Sequence, residues 1–212
     1  MKSLHIIGAG GFGSEVLQYA MDIEEAGLSD WKIAGFLDDD LDSLAGYSCG
    51  YKVLGTVKDH AICGDNVYIC AIGDPRMKLA ICRGFLGGGA NFTNIVHPKA
   101  YVGRNCKMGV GVVLCPSSSV TADATLGNFV TVNLYSSCGH DSIINDGCTL
   151  SPSCDVTGFA QLGEGVFMGS HAVVCPGVKI EDYARVGAGA VVIRDVLRAT
   201  TVVGVPAREV RR

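Results

Sequence analysis

Beginning at Val102, every sixth residue is a large apolar one, and this spacing holds for sixteen repeats without an insertion. The series runs Val102, Met108, Leu114, Val120, Leu126, Val132, Cys138, Ile144, Leu150, Val156, Leu162, Met168, Val174, Ile180, Val186 and Val192. Four places after each stands a small residue, from Cys106 and Val112 through to Ala190 and Val196, and Gly is frequent one place after, as at Gly103, Gly127 and Gly169. A helix would repeat every 3.6 residues and a strand every two, so neither explains a period of six. A triangular solenoid does: each hexapeptide makes one face and three make a coil. The large residue points inward, the small one fits the corner, and Gly, Asn and Asp allow the turns. Sixteen repeats make a little over five coils, stacked about 4.8 Å apart. The unbroken register leaves no long loop to close over a site, so neighbouring prisms would have to complete one.

The chain ahead of the repeats reads as half of a nucleotide-binding fold. Leu4–Ile7 predicts a strand that runs into Gly8-Ala9-Gly10-Gly11-Phe12-Gly13, with a helix from Ser14 to about Glu25. Glycines there let backbone amides at a helix start approach a phosphate. A second strand, Lys32–Leu37, ends in Asp38-Asp39-Asp40, where carboxylates can accept from a ribose or a base. A third, Val67–Ile72, stops at Gly73-Asp74-Pro75-Arg76, and a helix through Leu86 follows. About 90 residues are too few for both halves of a dinucleotide fold, so a mononucleotide-sized ligand fits better. The alternative is a glycine turn that only packs helix on strand. These readings divide the chain into 1–95 and 96–212.

The formal charge of −4 argues against nucleic acid, since Lys and Arg gather only at Arg208, Arg211 and Arg212. No apolar run approaches the roughly 18 residues of a membrane span, and a cytoplasmic protein is expected. The ten cysteines form no CxxC pair, and Cys106, Cys148 and Cys154 fall on the small corner position. They read as reduced packing residues.

Histidine is the side chain best suited to act as a general base near neutral pH. The repeats offer three histidines: His97, His140 and His171. On an 18-residue coil, His140 lies on a different side from the other two. Those two are about four coils apart, roughly 19 Å. One chain therefore cannot gather them on a metal, which leaves only a site shared between chains. His140 stands at a non-core position and is followed by Asp141, whose carboxylate could orient the imidazole if a corner brings them together. For His97 and His171 a packing role is the simpler reading.

Taken together, the two halves resemble the bacterial hexapeptide-repeat sugar acetyltransferases that include UDP-4-amino-sugar N-acetyltransferases and sialic-acid O-acetyltransferases. The resemblance rests on Gly8–Gly13, Phe36–Asp39, Ala71–Gly73, Val96–Pro98, the segment Gly139-His140-Asp141, and the tail Val203-Gly204-Val205-Pro206-Ala207-Arg208. It implies a left-handed parallel β-helix behind a half-Rossmann domain, in a cytoplasmic homotrimer with grooves between prisms. It implies acetyl-CoA as co-substrate, no metal, and a UDP-linked 4-amino-4,6-dideoxy sugar acylated for surface polysaccharide or glycan biosynthesis. O-acetylation of a sialic acid or another saccharide hydroxyl, and a non-catalytic nucleotide-sugar scaffold, are the alternatives. By the resemblance, His140 is the base, Asp141 its acidic partner, and Asn133 lies near the substrate. Gly10, Gly11, Phe12, Asp38, Asp39 and Gly73 would contact the nucleotide sugar, and Thr149, Gly158, Ser170 and Ala188 the CoA. Three positions depart from the family pattern: Phe12 and Thr149 stand where many members carry His, and Gly139 where many carry Glu.

Overall fold

The computed structural model describes residues 1–210; Arg211 and Arg212, in the basic C-terminal group, lie outside the described residues. The N-terminal part holds β1 (Lys2–Ile7), α1 (Gly11–Glu25), β2 (Trp31–Leu37), β3 (Val53–Gly55), β4 (Asn66–Cys70), α2 (Pro75–Gly87) and β5 (Asn91–Phe92). They form a parallel sheet of order β3-β2-β1-β4-β5. The chain reverses its order beside β1, which puts the mouth of a crevice at the carboxyl ends of β1 and β4. Helix α1 begins at Gly11, three residues before the expected start. Gly10 is its cap, and Gly13 packs so tightly on the Gly8 carbonyl that no Cβ could stand there. Helix α2 starts with Asp74 accepting from the Arg76 and Met77 N–H groups and Pro75 in the first turn, a favourable start for any helix.

The second part is a parallel β-helix, as the period of six predicts, and of the left hand that the resemblance implies. One face stacks strands from Ile95–Val96 to Thr201–Val203, the next from Tyr101–Val102 to Val191–Val192, and the third from Lys107–Met108 to Lys179–Ile180. Each residue pairs with the one 18 places on: Val120 with Cys138, Cys138 with Val156. The inward residues from Leu114 to Val192 and the apolar corner residues from Val112 to Ala190 make one continuous core. Val102 and Met108 are less buried, because no coil lies below them. Burial pushes the Cys154 thiol up to about 11 and Cys148 to about 12, so these corner cysteines stay protonated and pack.

Two details differ from the sequence reading. The left-handed turn residue sits three places after the inward one, at Asp123 (φ 63°), Asp141 (φ 57°) and even Phe159 (φ 62°). The glycine one place after has another purpose: a Cβ on Gly169 would lie 2.6 Å from the Ala188 N–H nitrogen of the coil above. The last coil is also two residues short. Val196 bridges to Ile180 and Val202 pairs with Val186, 16 rather than 18 residues on, so Val196 takes an inward place instead of a corner.

The N-terminal part lies against the first of the three faces, here the docked face. Its strands Val113–Leu114, Thr131–Val132 and Thr149–Leu150 are buried on both sides, whereas those of the other two faces bury at most one residue and leave its neighbour partly or fully exposed. Phe92 meets Phe129 edge-on, with centroids 4.9 Å apart. At the first coil, His97 bonds Asp22 of α1 at 2.9 Å while accepting from the Lys99 N–H at 3.0 Å. That second bond fixes the tautomer, so Nε2–H donates to the carboxylate. His97 is thus a buried bridge between the two parts.

Candidate active site

A prism has three edges. The first joins the docked face to the second and includes residues 133–136; the next, residues 139–142, joins the second face to the third. His140 and Asp141 lie on this second edge, opposite the docked face. The left-handed backbone at Asp141 turns the two neighbouring side chains to the same side, which an extended strand would not do. The imidazole Nδ1 is 2.9 Å from Asp141 Oδ2. The main chain is held too, since Asp141 N–H donates to the Ala122 carbonyl and Phe159 N–H to the His140 carbonyl. With Nδ1–H donated to the carboxylate, Nε2 keeps its lone pair and can take a proton.

Two residues from the coil above shape the surroundings of this imidazole. Phe159 stands edge-on to the imidazole, with centroids 5.0 Å apart and planes at 90°. Gly158 lies against the ring, and a Cβ there would come within 2.5 Å of Nε2. Gly158, assigned to CoA by the resemblance, therefore also leaves the room that the imidazole occupies. Sequence reasoning missed Phe159 altogether; the signal was its place 18 residues after Asp141. Gly139 leaves Asp141 as the carboxylate beside the ring. Both His140 and Asp141 are largely exposed, at 58% and 46%.

Asn133, Ser170 and Ala188 lie together on the first edge, in three different coils. Asn133 Oδ1 accepts from the Leu134 N–H at 2.7 Å and makes no hydrogen bond to His140 or Asp141. Within one chain the prism thus separates Asn133, Ser170 and Ala188 from His140, Asp141 and Gly158. Thr149 belongs to neither group. It is buried on the docked face, where its hydroxyl accepts from the Lys78 Nζ at 2.8 Å, and α2 covers it. Its hydroxyl is thus already engaged on the docked face, away from both edges. A sequence period cannot tell which face the N-terminal part will cover.

The N-terminal candidates gather at the carboxyl edge of the sheet. Gly10, Gly11 and Gly73 face open space. The first amides of α1 have no side-chain cap, so they remain available to an anion. Phe12 is packed partly into the N-terminal core. Asp38 spends both oxygens within the protein, on the Ala9 N–H at 2.7 Å and the Asp40 N–H at 2.9 Å, and so holds the glycine loop. Asp39 Oδ1 accepts from the Val57 and Lys58 N–H groups, while Oδ2 makes no bond among the described residues. Of the two, Asp39 keeps an oxygen for a ligand. Near α2, a concavity of about 850 Å³ lined by Arg76, Tyr183, Arg185 and Glu209 lies well away from His140. Its volume does not make it the reaction centre, because it holds no base beside an orienting group. Among the described residues, no helix is long and apolar enough to cross a membrane.

Comparison with known proteins matches this arrangement along the whole chain. Residues 3–85 match the PglD N-terminal domain family, and residues 159–194 the bacterial transferase hexapeptide family. GDP-perosamine N-acetyltransferase of Escherichia coli O157:H7 is 30% identical over all of this chain and 98% of its own. The acetyltransferase domain of PglB from Neisseria gonorrhoeae superposes with TM-score 0.90 at 27% identity, over 99% of this chain and 100% of that one. It has also been solved with acetyl coenzyme A. PerB from Caulobacter crescentus, in complex with CoA and GDP-perosamine, gives TM-score 0.86 at 28% identity over 100% and 98%. The chain belongs to the left-handed β-helix sugar acetyltransferases, the family that includes GDP-perosamine N-acetyltransferase.

Proposed function

We propose that this protein moves the acetyl group of acetyl-CoA to the amine of a nucleotide-linked amino sugar, in grooves between the prisms of a homotrimer. The observation that carries the reading is the His140–Asp141 pair on an open edge, with one imidazole nitrogen bonded to the carboxylate and the other free. The amine attacks the thioester carbonyl and passes its proton to His140 Nε2. As the carbon–sulfur bond breaks, the imidazolium returns that proton to the departing sulfur. A backbone amide holds the oxyanion meanwhile. Binding both substrates in one groove adds orientation, often worth more than the base itself.

Where the parts lie supports the trimer. The N-terminal part covers the docked face, and His140 stands on the edge opposite to it. A sugar held at Gly10, Gly11 and Gly73 is therefore served by a neighbour's His140, and a neighbour's first edge faces the same groove. The acceptor is a 4-amino-4,6-dideoxy sugar carried on UDP, with a GDP-linked amino sugar as the second reading, favoured by the likeness to GDP-perosamine N-acetyltransferase. Thioester release measured with UDP- and GDP-linked amino sugars, and with sialic acid as a hydroxyl acceptor, tests this. Turnover of hydroxyl acceptors alone would replace the amine reading with O-acetylation, and no release with any acceptor would leave a binding scaffold.

A further inference from the structure

One turn into α2, the side chain of Lys78 is sealed from water with no carboxylate in contact. Its Nζ donates to Thr149 Oγ1 at 2.8 Å, Thr131 Oγ1 at 3.1 Å and the Cys148 carbonyl at 3.2 Å. Three donors thus meet three acceptors, with the two threonines paired across successive coils. An ammonium buried among neutral oxygens is costly, and an apolar side chain would hold a helix on a sheet at less expense. What the lysine adds is direction, because three bonds fix both the height and the rotation of the first turn of α2. Two other links lie near this end: Arg185 to Asp74 at 3.6 Å is about half exposed and counts for little, and the Arg76 guanidinium lies over the Tyr183 ring at 4.4 Å, a contact without the direction of a hydrogen bond.

Directly before that turn comes the β4–α2 loop. Asp74 caps the helix, so Gly73, Asp74 and the first turn move together. We propose that Lys78 is a positioning residue: it registers the Gly73–Arg76 loop on the solenoid and so sets where the acceptor sugar sits along the groove. The proposal rests on reading the N-terminal part as the acceptor-binding part. The groups facing the ammonium are the Cys70 thiol on β4, Cys82 and Asp74 from α2 and its cap, and Cys148 on the solenoid. Burial is the largest influence and pulls the Lys78 ammonium down to about 8, so wild type passes from charged to neutral at accessible pH.

The test compares the full chain with Lys78→Met, which is neutral at every pH and similar in length. At pH 7 wild type should exceed the variant roughly tenfold in kcat/KM for the nucleotide sugar, with KM for acetyl-CoA alike in both. Between pH 7 and 9.5 that ratio should narrow, and titration of the sugar amine cancels because both enzymes share it. Should Lys78→Met fail to fold, Lys78→Arg replaces it; its charge persists above pH 8, so the ratio falls over the same interval. Hydrogen exchange at the amides of Gly73, Asp74 and Arg76 should quicken in the variant, with Gly11 and Phe12 unchanged. A ratio near one at pH 7, or one independent of pH, together with unaltered exchange, overturns the proposal. If wild type itself turns over no nucleotide amino sugar, the substrate reading has failed, and exchange alone decides the role of Lys78.

Discussion

The imidazole of His140 has one nitrogen committed to Asp141 and one free, and the consequences can be separated by substitution. His140→Ala should lower kcat by roughly 10²–10⁴-fold with little change in KM for acetyl-CoA, since the residue is assigned to proton transfer. The fold should survive, because position 140 belongs to neither the inward nor the corner series. Asp141→Asn should cost less, as it perturbs the imidazole without removing it. Gly158→Ala addresses the room around the ring: a methyl within 2.5 Å of Nε2 must push the imidazole aside. We expect kcat to fall at least tenfold while the melting temperature stays near wild type, since the residue lies outside the core. Steady-state kinetics beside thermal melts check all three, and an alanine at 140 with near wild-type turnover would remove that histidine from the mechanism. His140 and Asp141 were legible in the sequence because they are neighbours at a non-core position. Phe159 was not, and Gly158 was named only for CoA, since their contact with the ring exists only once coil stacks on coil. The place of Thr149 beneath α2 was not legible either, because it depends on Lys78, 71 residues earlier.

At the scale of elements, the period of six marks the strands, while docking depends on single polar contacts. The Asp22–His97 bond ties α1 to the first coil, and it holds the Asp22 carboxyl below its usual range of ionisation. A carboxylate lowered in the folded state adds stability that is complete above the unfolded value of 3.8 and is lost as pH falls through the folded one. Asp22→Asn should therefore lower the melting temperature near neutral pH, and the difference from wild type should close below about pH 4. Thermal melts from pH 7 to 3 decide this, and a difference constant with pH would mean that the bond contributes nothing through ionisation. The strands and helices of the N-terminal part were legible from apolar runs and glycines, except β3 and β5. Those are short edge strands that depend on pairing with β2 and β4. The shortened last coil was invisible, because Val196 continues the corner series as well as it fills an inward place.

For the whole molecule, the opposition of the docked face and the His140 edge predicts catalysis between chains. A His140→Ala variant lacks the base; a Gly11→Asp variant puts a negative charge where the phosphate should bind. Each alone should be inactive. Co-assembled in equal amounts they should recover roughly a quarter of the wild-type activity, as half the nucleotide sites and half the bases are intact and assort independently. Mixed trimers with no recovered turnover would require base and sugar to come from one chain. Light scattering should find three chains at micromolar concentration, and a stable monomer would defeat the groove altogether.

The docked face also dictates an order of events during synthesis. Lys78 leaves the ribosome well before its acceptors, for Thr149 follows 71 residues later, several seconds at roughly 5–20 residues per second. In that interval α2 can form on its sheet, yet its lysine must stay in water, because the surface that will bury it has not been made. The N-terminal part thus emerges first and seats last, waiting for the fourth strand of the docked face before it can close.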